Sequence, residues 1–266
     1  MSAPRGHRLF AQYAHAPNAL GYCGPQGAAA LRQVASGGGA DVDVPALARG
    51  FSGAWPYQQV LAELAGIDDP LDERVVRAYW TGNDLTDQIG NVRFGTALLE
   101  RIKPQAGHYW GHLTDDLLAE ASPTHAFHVF GVYPWSRLLG KGLPEPLKVL
   151  DSCRIGWAEV VAAEPEQLLV RMRHLTYDDG VLALGPAVEE RIGHRIEGVS
   201  FIDQVGPGDH VAVHWSFACD RLTESELAHL ERWTDWQLDA MKGRLHLRPG
   251  VEDQDAAPPP QDRRAR

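Results

Sequence analysis

The spacing of apolar residues changes near residue 145, and this change constrains the fold more than any other feature. Before it, apolar side chains recur every three or four residues, as in segments 55–66 and 69–80, which predicts amphipathic helices. After it, short alternating runs are separated by turn sequences such as YDDG at 177–180 and GPGD at 206–209, which predicts several short strands. The order of the two patterns predicts an α+β fold, with an all-helical N-terminal domain followed by a small β-barrel and a C-terminal helix.

A glycine- and proline-rich segment, GKGLPEPL at 140–147, separates the two patterns and is typical of a linker. We therefore predict a helical domain over 1–145, for partner recognition, and a barrel with its helix over 146–242. The run LKVLD at 147–151 is interpreted as a β-type segment. Thr223 and Glu226 have the spacing of a capping box, which predicts the start of the last helix. The proline-rich, charged residues 243–266 predict a disordered tail.

Composition excludes several classes of protein. The formal net charge of −10 argues against a nucleic-acid-binding protein, because neutralising phosphates needs a basic face. No apolar run approaches the ~20 residues of a membrane span, so no membrane partner is expected. Three widely spaced cysteines do not form a disulfide framework, and the simplest expected location is the cytoplasm.

Two residues of the β-rich half are candidate metal ligands. Cys153 stands just before a predicted strand, and His214 stands in a later one, just before the C-terminal helix. A small barrel brings early and late strands side by side, so a thiolate and an imidazole could converge on one metal. That pair suits iron, zinc or copper rather than magnesium or calcium. The alternative is that both side chains are ordinary core residues.

The sequence around these residues resembles the HypC/HupF family of hydrogenase-maturation chaperones. The segments CRIGWAEVV at 153–161 and GDHVAVHWSFACDRL at 208–222 are similar to the family's first and last strand motifs. The resemblance implies an OB-like barrel in which Cys153 and His214 handle the Fe(CN)2(CO) unit of [NiFe] hydrogenase. It also implies two partners, a HypD-like scaffold protein and the hydrogenase large-subunit precursor.

The chain departs from that family in two ways. Family members expose the cysteine at the mature N-terminus, whereas Cys153 follows a whole helical domain, and Trp157-Ala158 replaces a Pro-Gly pair. In the helical half, the phrases LGYCGP and FHVFGVYPW resemble those of an uncharacterised bacterial family. A metal-free protein–protein adaptor therefore remains an alternative function.

Cys23 offers a different chemistry. The segment GYCGP predicts a position at a helix N-terminus, where the partial positive charge lowers a thiol pKa. The alternative function is therefore a cysteine-dependent hydrolase or transferase centred on Cys23. A small residue filling a Gly-Pro turn is the plainer interpretation.

Two histidine pairs and one further cysteine complete the candidates. His108 and His112 are spaced i, i+4, and His125 and His128 are spaced i, i+3, so either pair could share a helix face and bind a metal. Packed or surface histidines are the more common outcome for such pairs. Cys219 is interpreted as a core residue. No residue is assigned a catalytic role or a cofactor-binding role beyond the iron unit.

Overall fold

A computed structural model describes residues 3–105 and 113–246 of the chain. His108 and His112 lie outside the described residues. The fold is α+β as predicted, with helices in the N-terminal part, a five-stranded barrel and a C-terminal helix.

Ten α-helices lie within the described residues, and nine of them precede the barrel. Their bounds are α1 Arg5–Ala19, α2 Ala28–Ala35, α3 Val44–Arg49, α4 Trp55–Ala65, α5 Glu73–Trp80, α6 Asp84–Gln88, α7 Asn91–Ile102, α8 His125–Phe127, α9 Glu145–Cys153 and α10 Glu224–His246. Short 3-10 segments span Lys103–Gln105, Asp115–Glu120 and Pro134–Leu138, and a single π-helical turn spans His128–Val132. None of these helices is both long and apolar enough to cross a bilayer.

The strands are β1 Gly156–Ala163, β2 Gln167–Asp178, β3 Val181–Gly193, β4 Arg195–Ile196, β5 Val199–Ser200, β6 His210–His214 and β7 Phe217–Leu222. Strands β4 and β5 form a separate two-stranded hairpin, and the other five close into a barrel in the order β1-β2-β3-β7-β6. Neighbours are antiparallel except β3 and β7, which pair in parallel at Gly193 and Phe217. Strand β6 also pairs with β1, so the first and fourth barrel strands in chain order are adjacent. The metal hypothesis requires this adjacency.

Residues 147–151 are helical, so the interpretation of LKVLD as a β-type run is wrong. The helix α9 begins at Glu145 with Pro146 in its first turn, where the missing N–H costs no hydrogen bond. Its apolar residues at 147, 149 and 150 fit a helical face as well as an alternating strand, and Leu150 is fully buried. The first barrel strand starts only at Gly156.

The helical part and the barrel share one apolar core. The largest cluster of buried side chains joins Phe10 and Tyr79 of the helices to Phe217 and Cys219 of β7. Cys219 is fully buried, which confirms its interpretation as a core residue. Residues 243–246, assigned above to the tail, continue α10, and the division into domains at 145 stays a prediction.

A partly buried ion-pair network crosses the same boundary. Arg77 of α5 lies 2.7 Å from Asp220 of β7 and 3.0 Å from Glu226 of α10. The Tyr13 hydroxyl of α1 donates to Asp220 at 3.2 Å. Thr223 and Glu226 form the predicted capping box, because each backbone N–H is bonded by the other residue's side chain.

Candidate metal centre

Cys153 is the last residue of α9, and the end of this helix is tied to the turn between β6 and β7. The backbone of Arg154 is extended, so the helix stops and the chain enters β1. The carbonyl of Ser152 accepts a hydrogen bond of 2.9 Å from the backbone N–H of Trp215. This bond brings the cysteine next to the end of β6.

His214 is the last residue of β6 and is buried, with 2% of its surface exposed. Its Nδ1 lies 2.8 Å from the carbonyl oxygen of Tyr13, so Nδ1–H donates to that oxygen and the other ring nitrogen keeps its lone pair. Nε2 makes no hydrogen bond to any described residue. A neutral imidazole fixed through Nδ1 with a free Nε2 has the arrangement of a typical metal ligand.

His125 of α8 is the third member of the group. Its ring lies 5.5 Å from the ring of His214, and its Nε2 lies 2.9 Å from the carbonyl oxygen of Cys153. One ligand atom from each of His125, Cys153 and His214 lies within 4.8 Å of the other two. The two residues singled out from the sequence therefore meet, and His125 of the helical half joins them as a third candidate ligand.

Burial keeps the two imidazoles neutral and the thiol protonated. Desolvation lowers the pKa of His214 to about 4, and the hydrogen bond to the backbone carbonyl of Tyr13 opposes this only in part. Desolvation likewise lowers the pKa of His125, helped by His214 and His128 nearby. It raises the pKa of Cys153 well above its usual range, although the indole N–H of Trp215 opposes the shift. A thiolate would therefore form here only with a cation beside it, as a metal ion supplies.

These residues line a cavity of about 310 Å³ between the helices and the barrel. Helices α1, α4, α5, α7, α8 and α9 contribute to its wall, together with the end of β6. Tyr22 also lines it and is half exposed, so the cavity reaches the surface there. Among the described lining residues none carries a charged side chain.

Cys23 lines the same cavity but does not occupy a helix N-terminus. The helix α2 begins at Ala28 after Gly27, and Cys23 lies in the preceding loop. Burial raises the pKa of Cys23 to about 12, whereas a helix N-terminus would have lowered it. The prediction that a helix N-terminus lowers the pKa of Cys23 is therefore wrong, because Cys23 lies in a loop and its pKa is raised.

A second group of possible ligands, Asp84, Asp87 and His229, lies on the surface. Asp87 is already paired with Arg232, and Asp84 is almost fully exposed. Such exposed acidic groups are common without a bound ion. The histidines at 125 and 128 were predicted as a possible metal-binding pair. In the structure His125 groups with Cys153 and His214, and His128 lies outside that group.

The fold and site define an α+β protein with a thiol–imidazole cluster where the helices meet a five-stranded barrel. The chain belongs to DUF6390, a family of unknown function, whose model matches residues 2–248. No curated protein and no solved structure matches the chain. The resemblance to HypC/HupF proteins stays a prediction.

Proposed function

We propose that this protein is an accessory factor that carries a transition metal, and that its cargo is the Fe(CN)2(CO) unit of a maturing [NiFe] hydrogenase. The observation that carries the proposal is the meeting of Cys153, His214 and His125 within 4.8 Å at a cavity. The barrel order, with the first strand beside the fourth, adds support, because it lets the two sequence motifs of the resemblance adjoin.

The donor set suits a carrier of soft or borderline metals. One thiolate and two imidazoles favour iron, zinc or copper over magnesium or calcium. Three protein ligands leave at least one coordination position for a ligand of the metal itself. The raised pKa of Cys153 makes binding depend on loss of a thiol proton, so an incoming proton would help release the cargo.

The proposed partners are the hydrogenase large-subunit precursor, which would receive the iron unit, and a HypD-like scaffold protein, which would supply it. The proposed location is the cytoplasm, where a reducing environment keeps thiols free. The three cysteines are all free in the structure, which agrees with such a location.

The test is metal content and complex formation of the full chain, purified without oxygen from iron-supplied cells that make a large-subunit precursor. We expect about one metal per chain in the wild type, since a preformed site binds stoichiometrically. Cys153→Ser and His214→Gln should lower bound iron at least tenfold and weaken capture of the precursor, because each removes a ligand atom.

Cys23→Ser is the matched control, because it changes the other cysteine of the same cavity. It should retain metal and precursor, and circular-dichroism melting verifies that each variant folds. Equal iron in the wild type and in Cys153→Ser would refute the metal site. Iron binding without any capture of the precursor would refute the hydrogenase role and leave the metal site standing.

A second candidate function is a metal-dependent enzyme. It is favoured by the third ligand, since three protein ligands with an open position are typical of catalytic zinc sites, and by the cavity beside them. The two functions differ in what happens to the metal. A carrier transfers it to the precursor on mixing, whereas an enzyme retains it.

A further inference from the structure

Besides His214, the cavity wall contains further polar groups without a hydrogen-bond partner among the described residues. Neither the Tyr57 hydroxyl nor His128 Nδ1 makes a hydrogen bond to any residue that the structure describes. Tyr57 is 1% exposed, and both side chains line the cavity. Their rings meet edge to face at 5.6 Å, so the two polar groups belong to one patch of the wall.

A buried hydroxyl without a partner is a cost to folding. Leaving such a group unsatisfied costs about 1–3 kcal/mol, and a phenylalanine at 57 would avoid that cost. The rest of the Tyr57 ring packs among aromatic neighbours, with Phe94 at 5.9 Å and Phe127 at 6.5 Å. No residue that the structure describes satisfies this hydroxyl, so a group bound in the cavity would gain a hydrogen bond from it.

This patch lies next to the metal centre. The ring of His128 stacks near the ring of His125, with 5.7 Å between the centroids. A ligand bound at an open coordination position beside His125 therefore needs to reach only a short way to meet His128 and Tyr57. Gly53 leaves room for the His128 ring, because a Cβ at this position would lie only 2.6 Å from its Nε2.

We infer that Tyr57 and His128 form a binding subsite for the outer end of a small linear ligand that is held at its other end by the metal. This inference rests on the proposed metal centre. The ligand class is a two- or three-atom species with a terminal hydrogen-bond acceptor, neutral or singly negative. A phosphate fits poorly, because it carries up to two negative charges and no charged side chain of the described part of the chain lines the cavity to balance them. A carboxylate is excluded by shape, because it is branched and not linear.

The test loads the full-length protein with Co(II), whose visible absorption reports its ligands, and then titrates azide. We expect azide to change the cobalt spectrum of the wild type. Tyr57→Phe should bind azide about tenfold more weakly, since it loses one hydrogen bond to a charged ligand. Its affinity for cobalt itself should stay within about twofold, because the hydroxyl is not a metal ligand.

Tyr22→Phe is the matched control, because it removes the hydroxyl of a half-exposed tyrosine that lines the same cavity. It should bind azide as the wild type does. A further readout separates this role from a structural one: metal-free Tyr57→Phe should unfold at the same or a higher urea concentration than the wild type. A purely structural hydroxyl would give a lower one.

The experiment distinguishes failure of the metal centre from failure of the Tyr57–His128 subsite. If the wild type takes up no cobalt, the metal centre and the subsite both fall. If cobalt binds but Tyr57→Phe and the wild type bind azide equally, the subsite is refuted and the metal centre stands.

Discussion

His125 has a hydrogen-bonding neighbour at each ring nitrogen, and the Tyr79 hydroxyl can serve either tautomer of the ring. Nδ1 lies 2.8 Å from the Tyr79 hydroxyl oxygen, and Nε2 lies 2.9 Å from the carbonyl oxygen of Cys153. The same hydroxyl lies 2.9 Å from the carbonyl oxygen of Gly53. Because a hydroxyl has one proton, it donates either to His125 or to Gly53.

The two choices correspond to two states of the site. Without metal, Nε2–H donates to the Cys153 carbonyl and the Tyr79 hydroxyl donates to Nδ1. A metal on Nε2 needs the lone pair of that nitrogen, so the proton must move to Nδ1. Nδ1–H then donates to the Tyr79 oxygen, and the hydroxyl donates to Gly53. If the proposed metal site is correct, Tyr79 is a positioning residue that accommodates both tautomers.

Tyr79→Phe should lower metal affinity about tenfold, because it removes the acceptor that stabilises the metal-binding tautomer of His125. Competition titration with a chelator measures the affinity, and imidazole nitrogen NMR reports the tautomer before and after metal is added. Tyr57→Phe is the control, since it removes a different buried cavity hydroxyl. An unchanged affinity with only a lower melting temperature would assign Tyr79 a structural role instead.

At the scale of elements, the turn between β6 and β7 shapes the site. His214 pairs with Phe217, so Trp215 and Ser216 form a two-residue hairpin loop. Both residues have positive φ, 52° and 56°, as in the turn type that usually takes asparagine and glycine. The turn aims His214 at the cavity and stacks Trp215 on Tyr22 at 3.9 Å.

Ser216→Gly should raise the free energy of unfolding by about 1 kcal/mol, because glycine adopts positive φ without the steric cost that serine has. Ser216 is exposed, so the change removes no packing. Urea unfolding measures the gain. Ser200→Gly, in the small β4–β5 hairpin, is the comparison and should destabilise. A loss of stability in Ser216→Gly would show that the serine side chain outweighs the backbone strain.

The sequence predicted the elements of the barrel better than the elements of the site. The periodicity of two located the strands, and the adjacency of first and fourth strands then brought Cys153 to His214. The α9 helix was missed because its short apolar run fits either period. His125 was named as a possible ligand, but sequence spacing paired it with His128, whereas tertiary packing places it beside Cys153 and His214.

At the scale of the whole molecule, the site belongs to neither half alone. His125 comes from the helices, His214 comes from the barrel, and Cys153 ends the helix that connects them. The shared apolar core and the Arg77–Asp220 ion pair join the helices to the barrel. Local sequence patterns carry no information on such packing, which explains why Cys153 and His214 were predicted to meet and the place of His125 beside them was not.

The shared core also encloses histidines that must stay neutral, so the molecule should lose stability in mild acid. Burial lowers the pKa of His15, His128 and His214 to about 4, and the charge of Arg32 adds to the effect at His15. The unfolded chain, with histidine pKa values near ~6.5, binds more protons than the native state between pH 6.5 and about 4. Stability therefore falls as pH drops through this window and levels off below it.

His15 gives the sharpest test, because it packs edge-on against Phe201 at 5.1 Å and is not one of the candidate ligands. Each such histidine should lower the free energy of unfolding by about 2 kcal/mol when the pH falls from 7 to 5. His15→Phe should recover about that amount of the loss in urea unfolding at the two pH values. His229→Gln controls for removing a histidine outside the core. An identical pH dependence in His15→Phe and the wild type would mean that folding does not change the pKa of His15.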